Sequence, residues 1–446
     1  MEPKKDNPEV NAPAAGLDSS GPKPDGSQDT GRAILQHTIQ KNEKGGFRWQ
    51  SLRGLLIPAL AVVTGLIIGA ILIALTSESV YAGFGQSFGA GLAAAWQQVS
   101  TAYGSLFSGS LGNPARIVAA LQSGDMVAIR RAANPILESL VASTPYIFAG
   151  LAVALGFRAG LFNVGVEGQL FMGAIFATYV GYAITGLPAI LHLPLTLLAG
   201  FAGGALWGFI PGWLKAKTGA HEVINTIMMN WIAFRLTDWL LAGPMRRADS
   251  GGMPISPFIQ PSAELPRFFQ APIRLHLGFF VALAMAWLVW WFLFKTTWGY
   301  NLRTVGANPH AARYAGMNIV HSTILGMTLS GGLAGLAGAN QVMAISHNMV
   351  MGLSSGYGFD SIALALLGNS HPLGVVLASL LFGTLRNGAT QMMVTTKIPI
   401  DIISILQALI LMFVAAPAII RALYRLRPAK EDQQGTVTIR SWGGGD

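Results

Sequence analysis

Apolar runs long enough to cross a bilayer recur along this chain and leave it few ways to fold. Crossing about 30 Å of hydrocarbon takes about 20 apolar residues in a helix. Runs of that kind lie at Leu55–Leu75, Leu140–Leu155, Leu170–Ile184, Ile190–Leu214, Val223–Leu241, Leu277–Phe294, Ile319–Ile345, Leu373–Met392 and Ile400–Ile420. A shorter one, Ser361–Leu367 between Gly358 and Gly368, cannot cross alone and predicts a re-entrant or broken half-helix. Only 11% of the residues are charged, against about 25% in a soluble domain. The predicted fold is therefore all-α: a polytopic membrane helix bundle of nine or ten spans. Residues 51–425 form the membrane domain, flanked by a disordered tail over 1–50 and a short polar tail over 426–446.

The basic residues sit mainly at span ends, where anionic lipid and the orientation bias account for them. The net charge of +9 thus calls for no nucleic acid. Arg48, Arg53, Lys215, Lys217, Lys295, Arg303, Arg313, Arg421, Arg425, Arg427 and Lys430 fall on one side if both termini are cytoplasmic. On that topology the Pro-rich loop 243–276 is external and a candidate docking surface. Ser77–Asn134 is external too, with Val118–Ile129 as a helix lying on the membrane. Glycines at helical spacing (Gly65 and Gly69; Gly200, Gly204 and Gly208; Gly331 and Gly335) predict close helix packing.

What is absent narrows the chemistry. There is no cysteine, and the eight histidines show no metal-ligand spacing. No phosphate-binding G-x-x-x-x-G-K-[ST] loop and no hydrolase motif of the H-E-x-x-H or G-x-S-x-G type occurs. Catalysis, a metal centre and ATP binding within this chain are not expected.

Polar residues inside the apolar regions are the candidate functional groups, because a charge at membrane depth costs about 2.5–3.5 kcal/mol on insertion scales. Phe157–Gln169 (FRAGLFNVGVEGQ) breaks a hydrophobic region and carries Asn163, Glu167 and Gln169. It reads either as a cavity-lining broken helix or as a connecting turn with Glu167 capping the next helix. His221–Trp231 (HEVINTIMMNW) carries Asn225 and Asn230, which either bond neighbouring helices or bind a polar solute. Gly356–Gly368 (GYGFDSIALALLG) places Phe359 and Asp360 at the start of the half-helix, Asp360 being a helix cap or a pathway residue. Its layout matches that of the first break, which hints at an internal duplication with half-helices meeting in mid-membrane. Arg386 and Asn387 lie inside the last long span but one, where Arg386 needs a partner or water.

Between two spans lies a polar island, Gly299–Asn318 (GYNLRTVGANPHAARYAGMN). It parses as a small capped helix: Asn308 as N-cap, Pro309 at the first position, His310–Ala315 as two turns, and Gly316 as the left-handed stop. Such a helix, held by two spans, is a handle for a soluble partner.

In this order and spacing, these four motifs resemble the permease subunits of bacterial ABC importers, in the ribose/branched-chain amino-acid permease superfamily. The resemblance covers about Leu140–Ile420, and HEVINTIMMNW is most similar to the nucleoside-importing branch. Val166 and His221 depart from that branch, where alanine and asparagine are usual. The resemblance implies a multi-pass subunit of the bacterial cytoplasmic membrane, with residues 296–318 as a cytoplasmic coupling region. Gly306, Asn308, Pro309, Ala312 and Gly316 would then meet an ABC ATPase subunit. It further implies a second permease subunit as heterodimer partner, an extracytoplasmic substrate-binding protein, and ATP and Mg held by the ATPase rather than by this chain. The small polar solute would pass near Asn163, Glu167, Gln169, Asn225, Asn230, Phe359, Asp360 and Asn387. A sugar is the alternative cargo. An ion-coupled carrier or an intramembrane enzyme, with ion sites at Glu167 and Asp360, is the alternative machine.

Overall fold

The computed structural model describes residues 49–425 apart from 397 and 399, so the predicted tails fall almost wholly outside the described residues. The chain divides into two units, Met1–Leu56 and Ile57–Asp446. Of the first, only 49–56 are described, as the opening of helix α1 (Trp49–Thr76).

Each of the nine predicted spans is helical: α1, α5 (Met126–Arg158), α6 (Val166–Ala183), α7 (Ala189–Thr218), α8 (Glu222–Ala242), α9 (Leu277–Lys295), α12 (Ile319–Gln341), α14 (Pro372–Thr396) and α15 (Ile400–Ala415). Ala59–Thr76 within α1, together with α5, α7, α9, α14 and Ile319–Ser346, is long and apolar enough to cross a membrane. Helix α12 runs on into a π-helical turn, Val342–Ser346. The last predicted span breaks at Ala416, after which Pro417 opens the short α16 (Pro417–Leu423). Proline lacks the N–H that a continuing helix would need.

The glycine pattern is resolved as packing. Helices α7 and α12 cross where Gly204 and Gly208 meet Gly331 and Gly335, and a Cβ on Gly204 would lie 2.7 Å from Gly335 Cα. Any side chain there would force the two backbones apart, as in other small-residue helix contacts.

One region departs from the sequence reading. Ser77–Asn134 holds more helix than the single one expected there. It forms α2 (Glu78–Gln86), α3 (Phe88–Leu111) and α4 (Pro114–Ser123). At 24 residues α3 is about 36 Å long, and it packs along α14 through Gly109, Leu106 and Gly388. Its many Gly, Ala, Ser and Gln residues lower its hydropathy while giving it a smooth packing face. The predicted helix Val118–Ile129 is split at Gly124, whose φ of 64° is left-handed, and Asp125 caps α5 by accepting from Val127 N at 2.9 Å.

Candidate functional site

The island contains two helices rather than one. Thr296 caps α10 (Thr297–Ala307) by accepting from Gly299 N at 3.1 Å. Asn308 caps α11 (Pro309–Tyr314) by accepting from Ala311 N at 3.0 Å, and Gly316 stops it at φ 78°. Asn308, Pro309 and Gly316 are exposed, with Tyr314 beside them, whereas Ala312 is fully buried. Gly306 faces the bundle: a Cβ there would stand 2.5 Å from the Arg158 carbonyl oxygen and 2.6 Å from Gly160 N. The island is thus seated on the corner that ends α5.

That corner begins the first polar break. Gly160, at φ 71°, turns the chain away from α5. Asn163 then locks the segment from within the protein. Its Nδ2 donates to Gln169 Oε1 and to Ser330 Oγ, both at 2.8 Å, and its Oδ1 accepts from Gly165 N at 2.9 Å. Asn230 braces it from α8, donating to Val164 O at 2.9 Å and accepting from Gly168 N at 2.8 Å. Asn225, on the same helix, is half-buried, and its Nδ2 has no partner among the described residues. Buried backbone groups of an irregular segment need such partners.

The same break holds both ends of the half-helix α13 (Tyr357–Leu367). Glu167 is buried, and it caps α13 rather than its own helix, its Oε2 accepting from Gly358 N at 2.6 Å. At the other end, Arg158 Nε donates to Ser370 O at 2.9 Å and its Nη2 to Asn369 O at 3.1 Å. A carboxylate at the N-terminus and a guanidinium past the C-terminus both suit the helix dipole. With 11 residues α13 spans about 16 Å, too short to cross a bilayer alone. The first break is not a matching half-helix: it is a bend between the long helices α5 and α6.

From α13, Asp360 reaches Arg386 of α14 at 3.5 Å and accepts from the Tyr146 hydroxyl at 3.0 Å. Arg386 also donates to Tyr146 OH and to Ser355 O, and its guanidinium lies 4.9 Å from the Tyr357 ring centre. Phe359 is largely exposed. A cavity of about 420 Å³ opens beside the ion pair, lined by Ser355, Asp360, Phe382, Arg386, Thr390 and Gln407 among others. A second polar cavity, about 450 Å³, shares Thr390 with it and is bordered by Arg116, Arg131, Glu138 and Asn387. Asn387 Nδ2 also ties α14 to α3 and α5 through Gly109 O and Pro135 O, each at 3.0 Å. A third cavity, about 520 Å³, is walled by apolar side chains such as Leu197, Val281 and Leu333 and offers a polar solute no partner.

The structure therefore divides the candidates. Asp360 and Asn387 border polar cavities, while Asn163, Glu167, Gln169 and Asn230 bond to the chain itself. Sequence reasoning overlooked Tyr146 and the reach of Arg158. A tyrosine in the middle of an apolar span, away from the interfaces where tyrosine collects, was the available signal for the first. Among the described residues, no three His, Cys, Asp or Glu side chains converge as a metal site would require.

Comparisons with known proteins agree with this architecture. Residues 135–415 match the family described as branched-chain amino acid transport system / permease component. The chain is 39% identical over 376 residues to the guanosine ABC transporter permease protein NupP of Bacillus subtilis, covering 83% of this chain and 95% of that one. It is 29% identical to the nucleoside ABC transporter permease protein NupB of Lactococcus lactis, over 83% of this chain and 93% of that one. With the glucose ABC transporter permease protein TsgB13 of Haloferax volcanii it shares 35% identity, over 70% of this chain and 83% of that one. No solved structure matches it. With its island and its half-helix inside residues 135–415, the chain belongs to the permease components of the branched-chain amino acid transport system family.

Proposed function

We propose that this chain is the membrane-spanning permease subunit of an ABC importer for nucleosides, working in the bacterial cytoplasmic membrane with both termini inside. The observation that carries the cargo is the near full-length likeness to a guanosine permease. A separate ATPase binds ATP and Mg, a second and different permease completes the pathway, and an extracytoplasmic binding protein delivers the solute. This subunit makes and breaks no covalent bond.

The exposed face of the island, with Asn308, Pro309 and Gly316, receives the ATPase. Its inner face, with Gly306 and Ala312, passes movement to the bundle. Gly306 bears on Arg158 and Gly160, and Arg158 and Glu167 hold the two ends of α13, so a shift of the island tilts the half-helix that carries Asp360. Asn163, Gln169, Asn225 and Asn230 keep the break in one shape while it moves. Solute passes along the polar side of α14, by Phe359, Asp360 and Asn387.

The test is uptake of labelled guanosine, uridine, adenosine, ribose and glucose by cells that contain the tagged chain, with mass spectrometry of whatever co-purifies. An ATPase, a second multi-span protein and a binding protein, together with nucleoside uptake, are the expected result. Sugar uptake without nucleoside uptake would transfer the cargo to the class of the glucose relative. A chain that purifies alone and transports without ATP would overturn the importer reading.

A further inference from the structure

The two polar cavities share Thr390 of α14, and the groups around the one beside Asp360 select for a particular chemistry. Asp360, Arg386, Thr390 and Gln407 open onto this cavity, and polar side chains at membrane depth face water, solute or protein rather than hydrocarbon. Its volume of about 420 Å³ falls within the about 300–1,000 Å³ of small-molecule sites.

The charges in this cavity are already balanced. Asp360 and Arg386 lie 3.5 Å apart, and Arg386 is further occupied by Tyr146 and by Ser355 O. An anionic solute would have to take the guanidinium from its carboxylate, leaving Asp360 charged and unpaired, and such a charge is costly. A neutral solute meets no such cost. Among the described residues, both bonds to the Asp360 carboxylate go to Oδ2, and an ionised carboxylate accepts several hydrogen bonds at once. Phe382 adds an aromatic wall, and Gln407 and Thr390 add donors and acceptors that suit a heterocycle's edge.

We infer that this cavity is the solute site of the permease and that it takes an uncharged molecule carrying a vicinal diol and a planar heterocycle. The diol donates to the Asp360 carboxylate, and the heterocycle faces Phe382 and the Gln407 amide. Phosphorylated forms of the same molecule are rejected here, in the membrane, independently of the binding protein. The inference rests on the importer reading and adds the location and charge rule of the site.

The chain contains no cysteine, so Thr390→Cys or Gln407→Cys would be its only thiol. Each variant, assembled with its ATPase and partner permease in vesicles and with the binding protein omitted, is treated with a small charged thiol reagent. Labelling of this chain is followed by mass. Uridine at about four times its Kd should slow labelling at both positions about fivefold. Uridine 5′-monophosphate and 2′,3′-dideoxyuridine should not, and Ser123→Cys, exposed at the end of α4 and outside the spans, should label at one rate throughout. Adding Asp360→Asn should reduce uridine protection to the dideoxyuridine level. Equal labelling with and without uridine, in a transporter whose unmodified form imports uridine, would overturn the site and leave the importer reading standing. Equal protection by the monophosphate would overturn the charge rule. A transporter that imports no nucleoside would overturn the cargo reading and this ligand class with it.

Discussion

Two segments of this protein have nearly the same layout in sequence and opposite roles in the fold. Each has glycines, a phenylalanine and an acidic residue opening an apolar helix: Phe157–Gln169 with Glu167, and Gly356–Gly368 with Asp360. The first is closed on itself. Its acid is buried, its amides are bonded within the chain, and Glu167 spends its charge on the end of another helix. The second is open, its acid paired with an arginine beside a polar cavity. An acidic residue at a helix start therefore says little about role. What distinguishes the two is whether backbone N–H groups or a cavity lie within reach of the carboxylate.

The contrast is sharpest in what Glu167 supports. Glu167→Ala leaves the Gly358 N–H without its acceptor in a buried site, at a cost of about 2–3 kcal/mol. Thermal stability in detergent and nucleoside uptake should fall together. Uptake lost at unchanged stability would make Glu167 a pathway residue and erase the distinction between the breaks.

A second helix cap tests the same logic by titration. His276 Nδ1 accepts from Gly278 N at 3.1 Å at the start of α9. Burial, reinforced by Arg267 and Arg274, lowers its pKa from 6.5 to about 4. The unfolded chain takes up this proton below pH 6.5 and the folded chain only near pH 4. Stability should therefore fall as pH drops from 6.5 to about 4, by about 3 kcal/mol in all, with no further loss from this group below that. A Tm measured across this window should decline, and His276→Asn should flatten the decline. An unaltered slope would show that His276 does not titrate as a buried cap.

Arg158→Met removes the donors to Asn369 O and Ser370 O and should cost about 1–2 kcal/mol. ATP hydrolysis should continue while uptake falls, because the island would then move without carrying α13. Proportional loss of both would assign Arg158 a purely structural part. Smallest in stability, at about 1 kcal/mol or less, is the double change Asn308→Gly and Pro309→Gly in the exposed α11. Membrane insertion should stay normal while solute-stimulated ATP hydrolysis drops. Full stimulation would separate the island from coupling.

How much of this was legible beforehand depends on reach along the chain. The caps at Asn308 and Gly316 were readable because their partners lie within four residues, where helix rules apply. The glycine stripes announced close packing, though not which helices would meet. Helix α3 was missed because its small and polar residues carry no span signal, while its contacts with α14, at Leu106 and Ser110, come from nearly three hundred residues away. Within the candidate site, Asp360 was legible as an acid at the start of a half-helix, and Arg386 as a charge in need of a partner. Their pairing was not.

By itself, the sequence determined that the chain is helical and crosses a membrane, where the half-helix falls, and that a capped island stands between two spans. Those features follow from apolar length and from contacts a few residues apart. The tertiary structure alone decided that Glu167 caps a helix 191 residues away, that Tyr146 reaches Asp360 across 214, and that one acid is sealed while the other faces a cavity. No periodicity records such pairings, because they depend on which helices lie side by side.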